Sequence, residues 1–308
     1  MGVAEPVRRA ASRAGSRPVS PPNLLFVSPT LVHVAPHPDD EAVGCPGALL
    51  HLLDRRWTVV SVIASLGFEG QRERRRAEAE EASARAGFVP VFLDPPLNLD
   101  LDGDLDEAAR RVANELPAIV KEHDASIVVS PSPHDVHHGH EVVGRGVQRA
   151  LAALPPTVRW WMWGVWGELP APNVFYGFDQ RVLDRALHIL DAYGGELARN
   201  DYRTFLTGRA AANAVMGSER VFGFGSPSAT TQPYADLVTE VRLLDGRFMA
   251  SQAHHLDQGP EPEAGYGVDL TLWLDAPSAH ELVGYIREVR DPPPDPSDPP
   301  RHREGRPR

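Results

Sequence analysis

The stretch Leu31-Val32-His33-Val34-Ala35-Pro36-His37-Pro38-Asp39-Asp40-Glu41 places an apolar run directly before a cluster of ionisable side chains. Its alternating, β-branched first half predicts a short strand that becomes buried toward its end. The run from Ala42 to Arg55 predicts a helix, and carboxylates are favoured at a helix N-terminus. Ligands bind at the carboxyl ends of strands in open α/β sheets, so His37, Asp39 and Asp40 indicate a metal or acid–base site. The alternative is a polar turn with a capping aspartate.

The composition of the 308-residue chain is that of a folded protein with an acidic balance. The formal net charge of −11 argues against a general nucleic-acid-binding protein. The single cysteine, Cys45, excludes an internal disulfide and predicts a buried thiol. No apolar run reaches the length of a membrane span, and the N-terminus lacks the apolar region of a signal peptide. We therefore expect a cytoplasmic protein without nucleic-acid or membrane partners.

Strand-like and helix-like segments alternate after this first strand. The alternation predicts an α/β fold, a Rossmann-like, doubly wound and mostly parallel sheet with a C-terminal extension. No Gly-x-Gly-x-x-Gly follows the first strand, which weighs against a dinucleotide cofactor. The predicted strands are Thr58–Ile63, Val89–Leu93 and Ser126–Ser130, and the predicted helices are Arg72–Ala86, ending at Gly87, and Asp104–Glu122.

A second cluster of ionisable side chains, Pro133-His134-Asp135-Val136-His137-His138-Gly139-His140-Glu141, follows the predicted strand at Ser126–Ser130. It leads into an amphipathic pattern over Glu141–Leu154, which would hold His140 on a rigid helix. The carboxyl ends of parallel strands meet at one edge of a sheet, so this cluster should lie near His37. A histidine-rich solvated loop is the alternative.

These two clusters resemble the two motifs of the PIG-L/LmbE-like zinc deacetylases, the N-acetylglucosaminyl deacetylase family. The first motif is His37–Glu41 followed by Gly44, Cys45 and Gly47; the second ends at His140 and continues as Val142-Val143-Gly144-Arg145. The resemblance covers roughly residues 24–225. It implies a hydrolase that removes an acyl group, usually acetyl, from an N-acylated amino sugar or sugar conjugate. It also implies one zinc ion per chain, with iron(II) as the alternative metal.

The resemblance implies roles for five residues. His37, Asp40 and His140 would hold the metal, a donor set that leaves a position for water. Asp39 would act as the general base toward the zinc-bound water, and His137 would stabilise the oxyanion, most effectively as an imidazolium.

One position departs from the family pattern. Gly139 stands where the family often has an aspartate that orients the neighbouring histidine, His137. Asp135 and His134 are the candidates to replace that aspartate.

Substrate-binding residues are expected on one helix and in one aromatic run. The family has an Arg-x-x-Glu directed at the substrate, which Arg75 and Glu78 match best, with Arg72 or Arg74 as alternatives to Arg75; a solvated helix face held by i,i+4 pairs is the other interpretation. Four of the six tryptophans lie within residues 160–166. Trp163 and Trp166 are the candidates for a substrate groove, and a packing wall is the alternative.

The predicted organisation has four parts. Residues 1–22 are expected to form a disordered tail, residues 23–225 the deacetylase domain, residues 226–290 a C-terminal extension packed on it, and residues 291–308 a second disordered tail. The expected partner is a small-molecule N-acyl amino sugar or glycoconjugate, and a homo-oligomer is left open. Two other functions are alternatives: a non-catalytic sugar- or metal-binding member of the family, and a metallo-phosphoesterase. The Arg-, Ala- and Pro-rich composition suggests a bacterial source.

Overall fold

A computed structural model of the chain describes Gly2 and residues 28–101, 103–258 and 265–277. The two predicted tails, at residues 1–22 and 291–308, therefore lie outside the described residues except for Gly2. Within the described residues, no helix combines the length and apolar character needed to cross a membrane.

The part of the chain that the structure describes contains ten strands and nine α-helices. The strands are β1 Thr30–Ala35, β2 Thr58–Ile63, β3 Val89–Phe92, β4 Ala125–Pro131, β5 Arg159–Trp163, β6 Val174–Phe178, β7 Tyr234–Leu244, β8 Arg247–Ser251, β9 His254–His255 and β10 Tyr266–Asp269. The α-helices are α1 Asp40–Val43, α2 Pro46–Asp54, α3 Arg72–Ala86, α4 Leu105–Glu122, α5 His138–Ala150, α6 Gln180–Leu190, α7 Gly194–Leu197, α8 Tyr202–Phe222 and α9 Thr271–Leu274.

The sheet has a parallel half and an antiparallel half. Strands β3, β2, β1, β4 and β5 lie side by side in that order and are parallel. Strands β7, β8 and β10 continue from β5 in antiparallel pairs, while β6 pairs with both β7 and β9. The mostly parallel, doubly wound sheet predicted from the sequence is confirmed.

Alternation along the strands sends successive side chains to opposite faces of the sheet. In β1, Leu31 packs in a core layer with residues of α2, α3, α6 and α8. Val32 and Val34 pack in a second layer with residues of α4 and α5. Both faces of the parallel strands are therefore covered by helices, as expected for this class of fold.

The structure differs from the predicted helices at two places beside the clusters. The single helix expected from Ala42 to Arg55 is two helices, because Pro46 has no N–H to continue α1 and instead occupies the first position of α2. Helix α5 begins at His138 rather than Glu141, so His140 lies within its first turn. By contrast, α3 ends as predicted, with Gly87 at a φ of 79°.

A buried carboxylate connects the second half of the chain to helix α2. Asp236 on β7 accepts a hydrogen bond from the backbone N–H of Ala48, at 3.0 Å, in the first turn of α2. A side chain at Gly47 would place its Cβ 2.9 Å from the same carboxylate, so the helix approaches the strand closely. Strand β7 of the predicted C-terminal extension thus joins the main sheet, and the division at residue 225 stays a prediction.

The Asp236→Asn variant should show how ionisation of this buried carboxyl group lowers the free energy of unfolding. Burial raises the pKa of Asp236 from 3.8 to about 6, so the folded protein binds this proton more tightly than the unfolded chain. The resulting stability is present below about pH 4 and is lost as the pH rises through about 6. We expect the wild-type free energy of unfolding, relative to the variant, to fall by up to about 3 kcal/mol across this range. Urea unfolding at several pH values measures it; a difference that does not change with pH would contradict the assignment.

Candidate metal centre and active site

The two sequence clusters meet in one cavity at the carboxyl edge of the parallel strands. The cavity has a volume of about 380 Å³, and its floor is formed by the turn after β1 and the first turn of α5. Side chains from α3, α7 and the loop after β5 form its walls. Among the residues that line it are His37, Asp39, Asp40, His137, His140, Arg75 and Trp166.

Three imidazoles and one carboxylate converge on the floor of the cavity. One ring nitrogen from each of His37, His137 and His140 lies within 4.8 Å of the other two. Asp40 lies between two of these rings: its Oδ2 is 3.4 Å from Nδ1 of His37, and its Oδ1 is 3.2 Å from Nε2 of His140. The structure thus brings the three predicted ligands together and adds His137 to the group.

The electrostatics of this group fit a bound cation. Burial lowers the pKa of His140, but the carboxylates of Asp40 and Asp135 outweigh it and raise that pKa to about 10. Burial raises the pKa of Asp40, yet His140 and His37 hold it well below its usual range. The buried carboxylates are therefore stabilised by positive charge, and imidazole and carboxylate donors are ligands that zinc accepts.

Asp39 is buried beside this group with its side chain free of helix capping. It is the N-cap residue of α1 and has a φ of 115°, but its side chain makes no capping hydrogen bond. The side chain of Asp39 is therefore not used to cap α1. Burial raises the pKa of Asp39 well above its ordinary range, and the neighbouring Asp40 raises it further, while Arg75 opposes them. The carboxyl group lines the cavity, where it can exchange a proton.

Asp135 contacts both His140 and the loop after β5, and the sequence did not predict these contacts. Its Oδ2 is 2.7 Å from Nδ1 of His140, and it is completely buried. Its Oδ1 accepts hydrogen bonds from the backbone N–H groups of Val165, Trp166 and Gly167, at 2.7 to 3.0 Å. One carboxylate therefore orients a candidate ligand and fixes the loop after β5. Asp135 was a candidate partner for His137, and the structure pairs it with His140 instead.

The Asp135→Asn variant should weaken metal binding by about 10- to 100-fold, the usual cost of losing a ligand's hydrogen-bonded partner. An asparagine that keeps the loop hydrogen bonds presents its N–H₂ to Nδ1 of His140. That favours a proton on Nε2, the nitrogen that faces Asp40 and would bind the metal. Competition with a chromophoric chelator measures the affinity. An unchanged affinity would show that this pair does not set the tautomer of His140.

The surroundings of His137 favour its neutral form, whereas the resemblance favours the imidazolium. Burial lowers its pKa, and the neighbouring His140 and His37 lower it further, to about 3. Its Nδ1 has no hydrogen-bond partner among the described residues. Gly139 provides no carboxylate to change this, so near pH 7 the ring can act as a neutral hydrogen-bond donor or as a ligand.

The predicted arginine and glutamate of α3 occupy different positions. Arg75 lines the cavity, and its Nη2 is 3.0 Å from Oε1 of Glu196. Glu78 lies outside the lining; its Oε1 accepts a hydrogen bond of 3.0 Å from the backbone N–H of Gly195, and Arg74 donates to its other oxygen. Glu78 therefore positions the wall of the cavity at α7.

The two tryptophans proposed for the groove also lie in different surroundings. Trp166 lines the cavity and is half exposed. Trp163 is completely buried: its Nε1 donates to Nε2 of His33 at 3.2 Å, and its ring meets that of His140 edge-on. The expected contact of Trp163 with substrate is therefore corrected to packing behind the site, because strand β5 ends at this residue and points it into the core.

Arg209 on α8 is another residue that sequence reasoning missed. Its guanidinium donates to the backbone carbonyls of Gly44, at 2.6 Å, and Gly164, at 2.7 Å, and also to that of Val43. It therefore ties the end of α1 to the loop after β5. The sequence carried no signal for this role, because an arginine in a long helix is most often solvated.

A comparison with known protein families gives a match over part of the chain. Residues 32–151 match the family model described as PIG-L: GlcNAc-PI de-N-acetylase. Over 144 residues the chain is 31% identical to a Bacillus cereus protein named probable N-acetyl-alpha-D-glucosaminyl L-malate deacetylase 2. This match covers 41% of the chain and 62% of that protein, so it spans less than two thirds of the relative's length.

Solved structures share the architecture at low sequence identity. A deacetylase of teicoplanin biosynthesis, in complex with teicoplanin, has a TM-score of 0.52 and 15% identity, covering 70% of this chain and 100% of that one. The 4-carboxy-2-hydroxymuconate hydratase of Pseudomonas putida has a TM-score of 0.53 and 17% identity, covering 69% and 96%. These two likenesses show the fold alone. Residues 32–151 thus match the PIG-L family model, and the solved structures share the fold of the described chain.

Proposed function

We propose that this protein is a metal-dependent hydrolase that removes an acyl group, most often acetyl, from an N-acylated amino sugar or sugar conjugate. One observation carries the proposal: the buried carboxyl group of Asp39 is unused by helix capping and faces the same cavity as the histidine group. The family match and the N-acetylglucosaminyl malate deacetylase relative support this reaction and this substrate class.

The proposed ligands of the metal are His37, Asp40 and His140. Their donor set suits zinc, with iron(II) as the alternative, and leaves a position open. A zinc ion bound there would acidify a water molecule and polarise the amide carbonyl of the substrate.

Two side chains would handle protons and charge during the reaction. Asp39, next to the ligand Asp40 but not among the proposed ligands, would take a proton from the attacking water and later pass it to the leaving amine. His137 would donate a hydrogen bond from its neutral ring to the developing oxyanion, since its low pKa leaves it uncharged. Both residues line the cavity.

The ion pairs in the wall of the cavity disfavour the alternative reaction, phosphate-ester hydrolysis. A phosphate would need a free cationic clamp, whereas each arginine that lines the cavity is paired with a glutamate: Arg74 with Glu78, and Arg75 and Arg199 with Glu196. We therefore keep amide hydrolysis as the proposed reaction.

The deciding experiment combines metal analysis with amine release. The purified protein is analysed for zinc and iron and then incubated with a panel of N-acetylglucosamine conjugates. About one metal ion per chain together with amine release would support the proposal. Bound metal with no release across the panel would favour a non-catalytic binding protein, and a chain that binds no metal after reconstitution would overturn the proposal.

A further inference from the structure

Two exposed apolar side chains, Phe68 and Trp166, line the cavity, although its floor is polar, and two more, Leu101 and Val136, are next in sequence to lining residues. Phe68, Leu101, Val136 and Trp166 have exposed fractions of 65%, 58%, 47% and 48%. They belong to the four loops that follow β2, β3, β4 and β5, respectively. Each of them lines the cavity or directly adjoins a residue that does. Two exposed apolar side chains that line one cavity, with two more on neighbouring residues, suggest a site that binds an apolar group, whereas single exposed apolar residues are common.

One side of this mouth is a row of nearly parallel rings. His138, His137, Trp166 and Phe205 follow one another, with ring centroids 4.7, 6.0 and 6.4 Å apart and ring planes within 28° of parallel. The row includes His137 of the histidine group and ends at Phe205 on α8. Trp166 of this row is partly exposed and lines the cavity, so aromatic surface is open beside the histidine group, and exposed aromatic rings bind other planar rings well.

The backbone of Val136, one of the four exposed apolar residues, is in an unfavourable conformation. Val136 has a φ of 65°, a conformation that is unfavourable for a β-branched residue. A hydrogen bond of 3.1 Å from its backbone N–H to Oε1 of Glu141 holds the turn. Strain of this kind persists where the surrounding structure enforces it, often at ligand sites. Here it holds a half-exposed apolar side chain next to His137, which lines the cavity.

We propose that this mouth binds an aromatic group attached to the amino sugar, so that the substrate is an N-acyl amino sugar with an apolar, planar aglycone. The amide would lie over the polar floor and the aglycone against Trp166 and Phe68. This inference rests on the proposed function for the position of the sugar, and its test uses binding rather than turnover.

The test compares three probes by calorimetric titration of the metal-loaded protein: methyl N-acetylglucosaminide, phenyl N-acetylglucosaminide and methyl N-hexanoylglucosaminide. We expect the phenyl glycoside to bind about tenfold more tightly than the methyl glycoside, the gain from one ring stacked in a partly exposed site. In Trp166→Ala and Phe68→Ser this ratio should fall toward one. The matched control is Phe224→Ser, which removes a 94% exposed phenylalanine beyond the end of α8 and should keep the wild-type ratio.

The outcomes separate the inference from the proposed function. Equal affinities for the phenyl and methyl glycosides in the wild type would overturn the inference, even if both compounds release amine. Tighter binding of the hexanoyl compound alone would also overturn it, because the apolar group would then belong to the acyl chain. A phenyl preference that depends on Trp166 would support the inference even if neither glycoside were hydrolysed, a result that would count only against the proposed reaction.

Discussion

Replacing Asp39 by asparagine is expected to lower amine release by about 10²- to 10⁴-fold, the usual contribution of a positioned general base. The metal should stay bound, because Asp39 is not among the three proposed ligands. Asparagine is the informative replacement: the φ of 115° at this position is tolerated by asparagine far better than by alanine. The variant therefore removes the proton acceptor and keeps the turn that positions its neighbour Asp40.

Two measurements are needed to interpret this variant: turnover of an N-acetylglucosamine conjugate and metal content after dialysis. The matched control is Asp100→Asn, which removes a carboxylate from the wall of the same cavity and should change turnover by less than about tenfold. Retained turnover in Asp39→Asn would remove Asp39 from the mechanism. Loss of the metal would instead make Asp39 a ligand or a residue that positions one.

The sequence was sufficient to predict that the two chemical clusters would meet. Each cluster follows a buried strand, and β1 and β4 are adjacent and parallel, so their carboxyl ends lie at one edge of the sheet. That prediction needed only the apolar patterns and the rule for connecting parallel strands. In the structure, His37 and His140 both contact the carboxylate of Asp40, although the two histidines are far apart in the chain.

The supporting contacts could not be predicted, because they join residues that no local pattern connects. Arg209 reaches the carbonyl of Val43 across 166 positions of the chain. The different positions of Trp163 and Trp166 depend on where β5 ends, since the last residue of the strand is packed into the core and the loop residue is not. Element boundaries are the least certain part of a sequence-based prediction, and here one boundary decides which tryptophan can meet a ligand.

The Gly139→Ala variant should weaken metal binding by more than about 100-fold. A Cβ at this position would lie 2.8 Å from both Cε1 and Nε2 of His37, closer than carbon atoms pack, so the ring must move. Displacing a ligand should cost more than losing a ligand's hydrogen-bonded partner, which costs about 10- to 100-fold. The affinity is measured by chelator competition, and the thermal unfolding of the metal-free variant shows whether it still folds.

A second glycine separates the effect on the metal site from the general effect of a glycine in a helix. Gly208 in α8 has open space around its missing Cβ, so Gly208→Ala should bind metal normally and gain about 0.5–1 kcal/mol of stability. An aspartate at residue 139, which the family often has, would carry the same Cβ as alanine into the ring of His37. The ring of His37 can therefore occupy its observed position because residue 139 is a glycine. If Gly139→Ala kept full metal affinity, a Cβ at residue 139 would not displace His37 from the metal. Another arrangement of ligands would then be required.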